Sequence, residues 1–200
     1  MCGPPAIQPL APLVLASASP RRRALLEALG LVFEVHPCPL REPAAPPPGV
    51  AAGAWAESLA YFKALAVARA FPRELVLGAD TLVVCAGETL GKPRDLPDAR
   101  RMLAAQAGRP SLVITGVALV LASRGARRLG RAVTRVWMRD APAEREEYLR
   151  SGDWVGKAGA YGVQDVGDRL VERIEGDFDN VVGLPGALVA QLLRVARNWA

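Results

Sequence analysis

The chain has 200 residues, 51% of them hydrophobic and 22% charged, which excludes a disordered chain and suits one domain whose core needs no staples. Three scattered cysteines and a single histidine, His36, exclude a disulfide framework, a thiolate zinc site and any two-histidine metal centre. The formal charge of +5 suits an anionic ligand without naming one.

The make-up of that charge is more informative. Only three of the 25 basic residues are lysines: Lys63, Lys92 and Lys157. In a chain that favours arginine, a compact ammonium kept at a few positions marks places where a planar guanidinium does not substitute. Residues 1–18 lack the positive charge that precedes the apolar stretch of a secretory signal, because Arg21, Arg22 and Arg23 come after it. Residues 1–11 are expected as a loose tail and 12–200 as the domain, with 13–16 a short buried strand. The longest uncharged apolar run, about 112–123, falls well short of the roughly 20 residues that cross a bilayer. The expected setting is the cytoplasm, away from membranes.

A helix follows. Ser19 suits its N-cap and Pro20 its first position, Leu25, Leu26 and Leu29 mark an inner face, and Gly30 stops it. Its first turn carries Arg21, Arg22 and Arg23, where the helix dipole favours negative charge. Cations stacked there make sense beside an anion, and with the free amides, Ser17 and Ser19 they form a phosphate trap. A short strand, 32–35, leads to a proline-rich loop holding Glu42. Residues 51–70 read as a helix with Trp55, Leu59, Phe62 and Ala66 on one core-facing stripe and Lys63 beside it.

Residues 75–85 form a near-continuous apolar run, the pattern of a central strand buried on both faces, interrupted by Asp80. A carboxylate there needs a partner or a metal, and such acids cluster at sites. The segment GETLGKP, 87–93, has neither the spacing nor the Ser/Thr of a Walker A loop, so it reads as a turn that delivers Lys92. Asp95 is expected to cap a helix that ends at Gly108.

Residues 112–122 and 129–138 read as a strand pair. Arg131, Arg135 and Arg139 read as the wet face of an edge strand, since no aromatics interleave to stack on bases, and no nucleic-acid partner is expected. Another helix begins near Asp140 and closes at Gly152. Five glycines between 152 and 167 permit close approach of backbone to ligand, with Lys157 and Gln164 projecting from the stretch. A second strand pair near 170–174 and a helix from about Pro185, presenting Leu188, Leu192 and Val195, complete the chain.

In this order the pieces resemble the Maf family of nucleoside triphosphate pyrophosphatases. The resemblance rests on LASASPRRRALLEALG (15–30), Glu42, Lys63-Ala64, GADTLVV (78–84), GKP (91–93), ITGVAL (114–119), GKAGAYGVQ (156–164) and EGDFDNVVGLP (175–185), and spans about 13–193. It implies an α/β fold, a single domain with a long mixed β-sheet flanked by helices. It also implies a homodimer, a divalent cation (Mg²⁺ or Mn²⁺), and hydrolysis of a nucleoside triphosphate to monophosphate and pyrophosphate. Position by position it makes Asp80 the proton acceptor and puts the metal on Glu42 and Asp80. Arg21, Thr81 and Gln164 match the positions that distinguish subfamilies; Thr81 and Gln164 look like the dTTP/UTP branch, whereas glutamine and glutamate tend to stand at those two positions in the 7-methyl-GTP branch. Asp165 and the pair Ser111-Leu112 depart from the family pattern. The remaining alternatives are a 7-methyl-GTP or other modified-nucleotide pyrophosphatase, and a non-catalytic nucleotide-binding regulator of cell division.

The chemistry of such a cut matches the residues. A leaving pyrophosphate needs positive charge, which Arg21, Arg22, Lys63 and Lys92 supply, with Lys157 as a further substrate contact, and the water needs a base. Hard oxygen ligands suit Mg²⁺ or Mn²⁺.

Overall fold

The apolar run around Asp80 forms a long buried strand at the centre of one face-covered sheet, and everything else is arranged on it. The computed structural model describes residues 11–43, 46–164 and 169–199, so the expected tail, apart from Ala11, lies outside the described residues. In chain order the elements are β1 (Leu13–Leu15), α1 (Pro20–Ala28), β2 (Phe33–Val35), α2 (Ala52–Ala68), β3 (Leu75–Cys85), β4 (Glu88–Leu90) and α3 (Leu96–Gln106). There follow β5 (Pro110–Leu121), β6 (Ala126–Met138), α4 (Pro142–Ser151), β7 (Val171–Glu175), α5 (Phe178–Val182) and α6 (Gly186–Ala196). Among the described residues the strands form one seven-stranded mixed sheet, ordered β2-β1-β3-β5-β6-β7, with β4 added on β3. No helix among the described residues is long and apolar enough to cross a membrane.

One edge of β3 is paired along its length with β5, from Val76↔Val120 to Cys85↔Ser111. The other edge is shared: β1 runs parallel to 75–77, and β4 runs antiparallel to 83–85. Between them, residues 78–82 have no strand partner on that edge among the described residues. Asp80 and Thr81 lie in this gap. The chain leaves β1 there as well, and turns directly into α1.

α2 covers one face of the sheet through Ala60, Ala64 and Val67 against Val14, Val76 and Ala118. It comes down closely because two glycines lie beneath it. A Cβ on Gly78 would sit 2.2 Å from the Ala60 carbonyl oxygen, and one on Gly116 2.3 Å from Ala56 backbone atoms. α1 and α6 cover the other face through Leu26, Val189 and Leu193 against Leu15, Leu77 and Leu119. α3, α4 and α5 extend that layer over Val83, Val113 and Val136.

Several expectations are corrected. Phe62 is 52% exposed, and the buried face of α2 is built from Ala56, Leu59, Ala60, Lys63, Ala64 and Val67. Small residues win that face because the helix lies so near the strands that a phenyl ring has no room there. β7 covers the outer edge of β6 only over 135–138, so among the described residues Arg131 does stand on an open stretch of edge while Arg135 does not, and 170–174 contributes this one strand rather than a pair. The three arginines are engaged: Arg131 pairs with Glu57, Arg135 with Glu175, and Arg139, just after β6, donates to the Val171 carbonyl. On α6, Leu192 is buried and Leu188 packs on the core as expected, together with Val189 and Leu193, whereas Val195 is exposed.

Candidate active site

A cavity of about 500 Å³ opens at the gap beside β3, a size that suits a small-molecule site. Ser17, Ser19, Arg21, Arg22, Glu42, Lys63, Asp80, Thr81, Lys92, Lys157 and Gln164 all line it. The residues singled out in the sequence thus meet in one place, from six separate stretches of chain. Five cations and two carboxylates in the lining leave it cationic, as a polyphosphate requires.

The cationic mouth is built by the start of α1. Ser19 caps the helix, accepting from the Arg22 amide at 3.4 Å, and Ser17 Oγ accepts from the Ser19 amide at 3.2 Å. Arg22 turns inward: its Nε donates to the Gly183 carbonyl at 2.9 Å, and its terminal nitrogens donate to Ser17 Oγ at 3.3 Å and Thr81 Oγ1 at 3.2 Å. Burial lowers the Arg22 guanidinium below its usual value, opposed by the fields of Asp80 and Glu42, and it stays charged at neutral pH. Arg23 points away and pairs with Glu27. The arginine cluster therefore divides its labour, with Arg21 and Arg22 at the cavity.

The acidic centre lies across the gap. Asp80 is 4% exposed and hydrogen-bonded to the Lys63 ammonium, which also lies 2.8 Å from Glu42 Oε1. Lys92 approaches the same Glu42 oxygen at 3.3 Å. Burial raises the Glu42 carboxyl, but the hydrogen bonds and charges of Lys63 and Lys92 outweigh it and hold it below the usual range. The glycines that let α2 descend are what bring Lys63 to Asp80. Two carboxylates that converge on a single cation direct their oxygens at one small volume. That is a fitting donor set for Mg²⁺ or Mn²⁺, which are commonly held by one or two carboxylates completed by phosphate oxygens and water. Among the described residues no group of three or more histidine, cysteine, aspartate or glutamate side chains is placed to hold a metal ion.

Behind the charged part, Val83, Val113, Tyr161, Val163 and Val182 give the cavity an apolar wall. The segment carrying Lys157 is anchored from below. Gln106, fully buried, donates to the Gly159 carbonyl at 2.8 Å, and the Gly159 amide donates to the Gly91 carbonyl next to Lys92. Thr115 and Asn180 form a further buried layer: Thr81 Oγ1 meets Thr115 Oγ1 at 3.0 Å, and Thr115 donates to the Asn180 carbonyl. The apolar wall, Gln106, Thr115, Asn180 and the Gly183 carbonyl were not expected from sequence. The ITGVAL and EGDFDNVVGLP segments that contain three of them were noticeable, but nothing in their neutral residues named a partner.

The model of the family described as Maf-like protein matches residues 12–196. The chain belongs to the Maf family. Among similar Maf proteins, one named dTTP/UTP pyrophosphatase from Moorella thermoacetica is 50% identical over 187 residues, covering 92% of this chain and 94% of that protein. Others of the same name, from an Anaeromyxobacter species and Syntrophomonas wolfei, are 48% and 45% identical over 92% of this chain, covering 89% and 100% of their own lengths. A solved nucleoside-triphosphatase/dITP/XTP pyrophosphatase from Mycobacterium abscessus aligns with a TM-score of 0.45 at 13% identity, over 92% of this Maf chain and 96% of its own.

Proposed function

We propose that this Maf protein hydrolyses dTTP and UTP to the nucleoside monophosphate and pyrophosphate. The observation that carries the reading is the meeting of the α1 anion trap with the Asp80–Lys63–Glu42 cluster in one cavity. The names of the relatives supply the nucleotide, and Thr81 and Gln164 in the lining agree with it.

In this mechanism the first-turn amides of α1, Ser17, Ser19, Arg21 and Arg22 hold phosphate oxygens. Asp80 takes the proton from a water that attacks the α-phosphorus, and the bond from that phosphorus to the bridging oxygen breaks with its electrons leaving on pyrophosphate. Lys63 and Lys92 offset the charge that grows on the leaving group, and Lys157 and Gln164 hold the rest of the nucleotide. Glu42 and Asp80 would hold a divalent cation, which when bound polarises the phosphoryl oxygens and makes water more acidic. The apolar wall accommodates the base. A cytoplasmic setting and a homodimer belong to the same reading, the latter open to sedimentation.

The test is pyrophosphate release from a nucleotide panel with Mg²⁺ or Mn²⁺. The expected order places dTTP and UTP above 7-methyl-GTP and inosine nucleotides. A preference for 7-methyl-GTP would overturn the substrate assignment, and tight binding without turnover would support a regulator instead.

A further inference from the structure

The hydrogen bonds behind Thr81 settle something its side chain alone leaves open. A threonine hydroxyl has one proton to donate and two lone pairs with which to accept. The Thr115 hydroxyl lies 3.0 Å from the Asn180 carbonyl oxygen, which can only accept, so the Thr115 proton is spent there. Thr115 and Asn180 are both fully buried, and Asn180 is itself fixed by its side-chain amide, which donates to the Val113 carbonyl and to Thr134 Oγ1, each at 3.0 Å. With its proton committed, Thr115 must accept in its 3.0 Å contact with Thr81, and Thr81 must donate. Arg22 donates to Thr81 as well, at 3.2 Å, and occupies one of its lone pairs. Among the described residues, one lone pair and no proton then remain on a half-buried hydroxyl that lines the cavity.

We infer that Thr115 and Asn180 make the Thr81 hydroxyl an acceptor only, so that this point of the cavity reads an N–H or O–H donor on the nucleoside. The inference rests on the nucleotide reading above and deepens it. Phosphate oxygens carry no proton to offer near neutral pH, so Thr81 does not contact the triphosphate by donating to it. Two groups shared by dTTP and UTP supply the required donor: the imide N3–H of the base and the 3′-hydroxyl of the sugar. Thr115 is thus a positioning residue for specificity. It acts through the direction of one proton, without touching the ligand.

The experiment compares kcat/KM for UTP, N3-methyl-UTP and 3′-deoxy-UTP in the wild type, Thr115→Val and Thr115→Ser. In the wild type, the analogue that lacks the donor read by Thr81 is expected to fall at least about tenfold below UTP, because an acceptor that the bound nucleotide covers is left unpaired. A fall with N3-methyl-UTP assigns the base as the source, and a fall with 3′-deoxy-UTP assigns the sugar. Thr115→Val removes the acceptor of the Thr81 proton, lets that hydroxyl rotate, and should narrow the ratio by at least about fivefold. Thr115→Ser keeps the hydroxyl and should restore the wild-type ratio, which a merely structural role would not require. If Thr115→Val does not fold, Thr81→Val should narrow the same ratio. The inference is overturned if the wild type treats both analogues like UTP, or if a folded Thr115→Val or Thr81→Val keeps the wild-type ratio. Equilibrium binding of the three nucleotides reads the same preference without turnover, so an inactive protein that still discriminates would sink the pyrophosphatase reading and leave this one standing.

Discussion

Two buried aspartates, Asp80 on β3 and Asp98 on α3, show what separates a reactive acid from a structural one. Asp80 and Asp98 are 4% and 7% exposed, so burial does not distinguish them. Asp98 sits at the start of α3, where Asp95 caps the helix and accepts from the Asp98 amide. Its two oxygens are covered by the Arg94 backbone amide and by the guanidiniums of Arg94 and Arg101, at 3.1–3.2 Å. Burial raises the Asp98 carboxyl, but those hydrogen bonds outweigh it and hold it below the usual range. Asp80 instead lines an open cavity and shares the Lys63 ammonium with a second carboxylate, Glu42. An acid saturated by forked donors is a clamp on its own helix. An acid that shares one cation, beside space for a ligand, is placed to exchange partners during a reaction.

The largest test of that contrast is Asp80→Asn, which should lower kcat about 100- to 10,000-fold, the usual worth of a positioned base, while the melting temperature stays near that of the wild type. Next comes Gly78→Ala. The new Cβ meets the Ala60 carbonyl, α2 must lift, and Lys63 moves from Asp80. A loss of up to about 100-fold in kcat is expected from misplacement. It should be accompanied by about 1–3 kcal/mol of destabilisation in urea titrations. Asp98→Asn should do the converse, costing about 1–3 kcal/mol with kcat per folded molecule unchanged. Equal kcat losses in Asp80→Asn and Asp98→Asn would erase the distinction. The smallest effect is on pH. The folded Asp98 carboxyl titrates below its unfolded value, so its contribution to stability is complete above about pH 5 and is lost as pH falls through the folded value. Asp98→Asn should lack that part of the acid limb, measured as urea midpoints between pH 5 and pH 2.

The charged half of the site was legible in the sequence because its residues conflict with their local settings. Asp80 breaks an apolar strand, Arg21 and Arg22 oppose a helix dipole, and three lysines persist among arginines. The neutral half was silent. Thr115, Asn180 and Gln106 fit any strand or helix, and their meaning comes from partners 53 to 67 residues away in the chain. The same holds for the fold. β3 and β5 announce themselves by composition, whereas the three-residue β4 and five-residue α5 carry too little periodicity to read. Phe62 misled because helical spacing marks a stripe without telling how close the sheet beneath it lies, and that closeness was set by Gly78 and Gly116 on other strands.

The account turns on where water enters. Hydrolysis of UTP in ¹⁸O-labelled water, followed by mass analysis of both products, reads this directly. Attack at the α-phosphorus with Asp80 as base predicts the label in UMP and unlabelled pyrophosphate, a pattern that fades with the activity in Asp80→Asn. Label in the pyrophosphate, or release of UDP and phosphate, would contradict it.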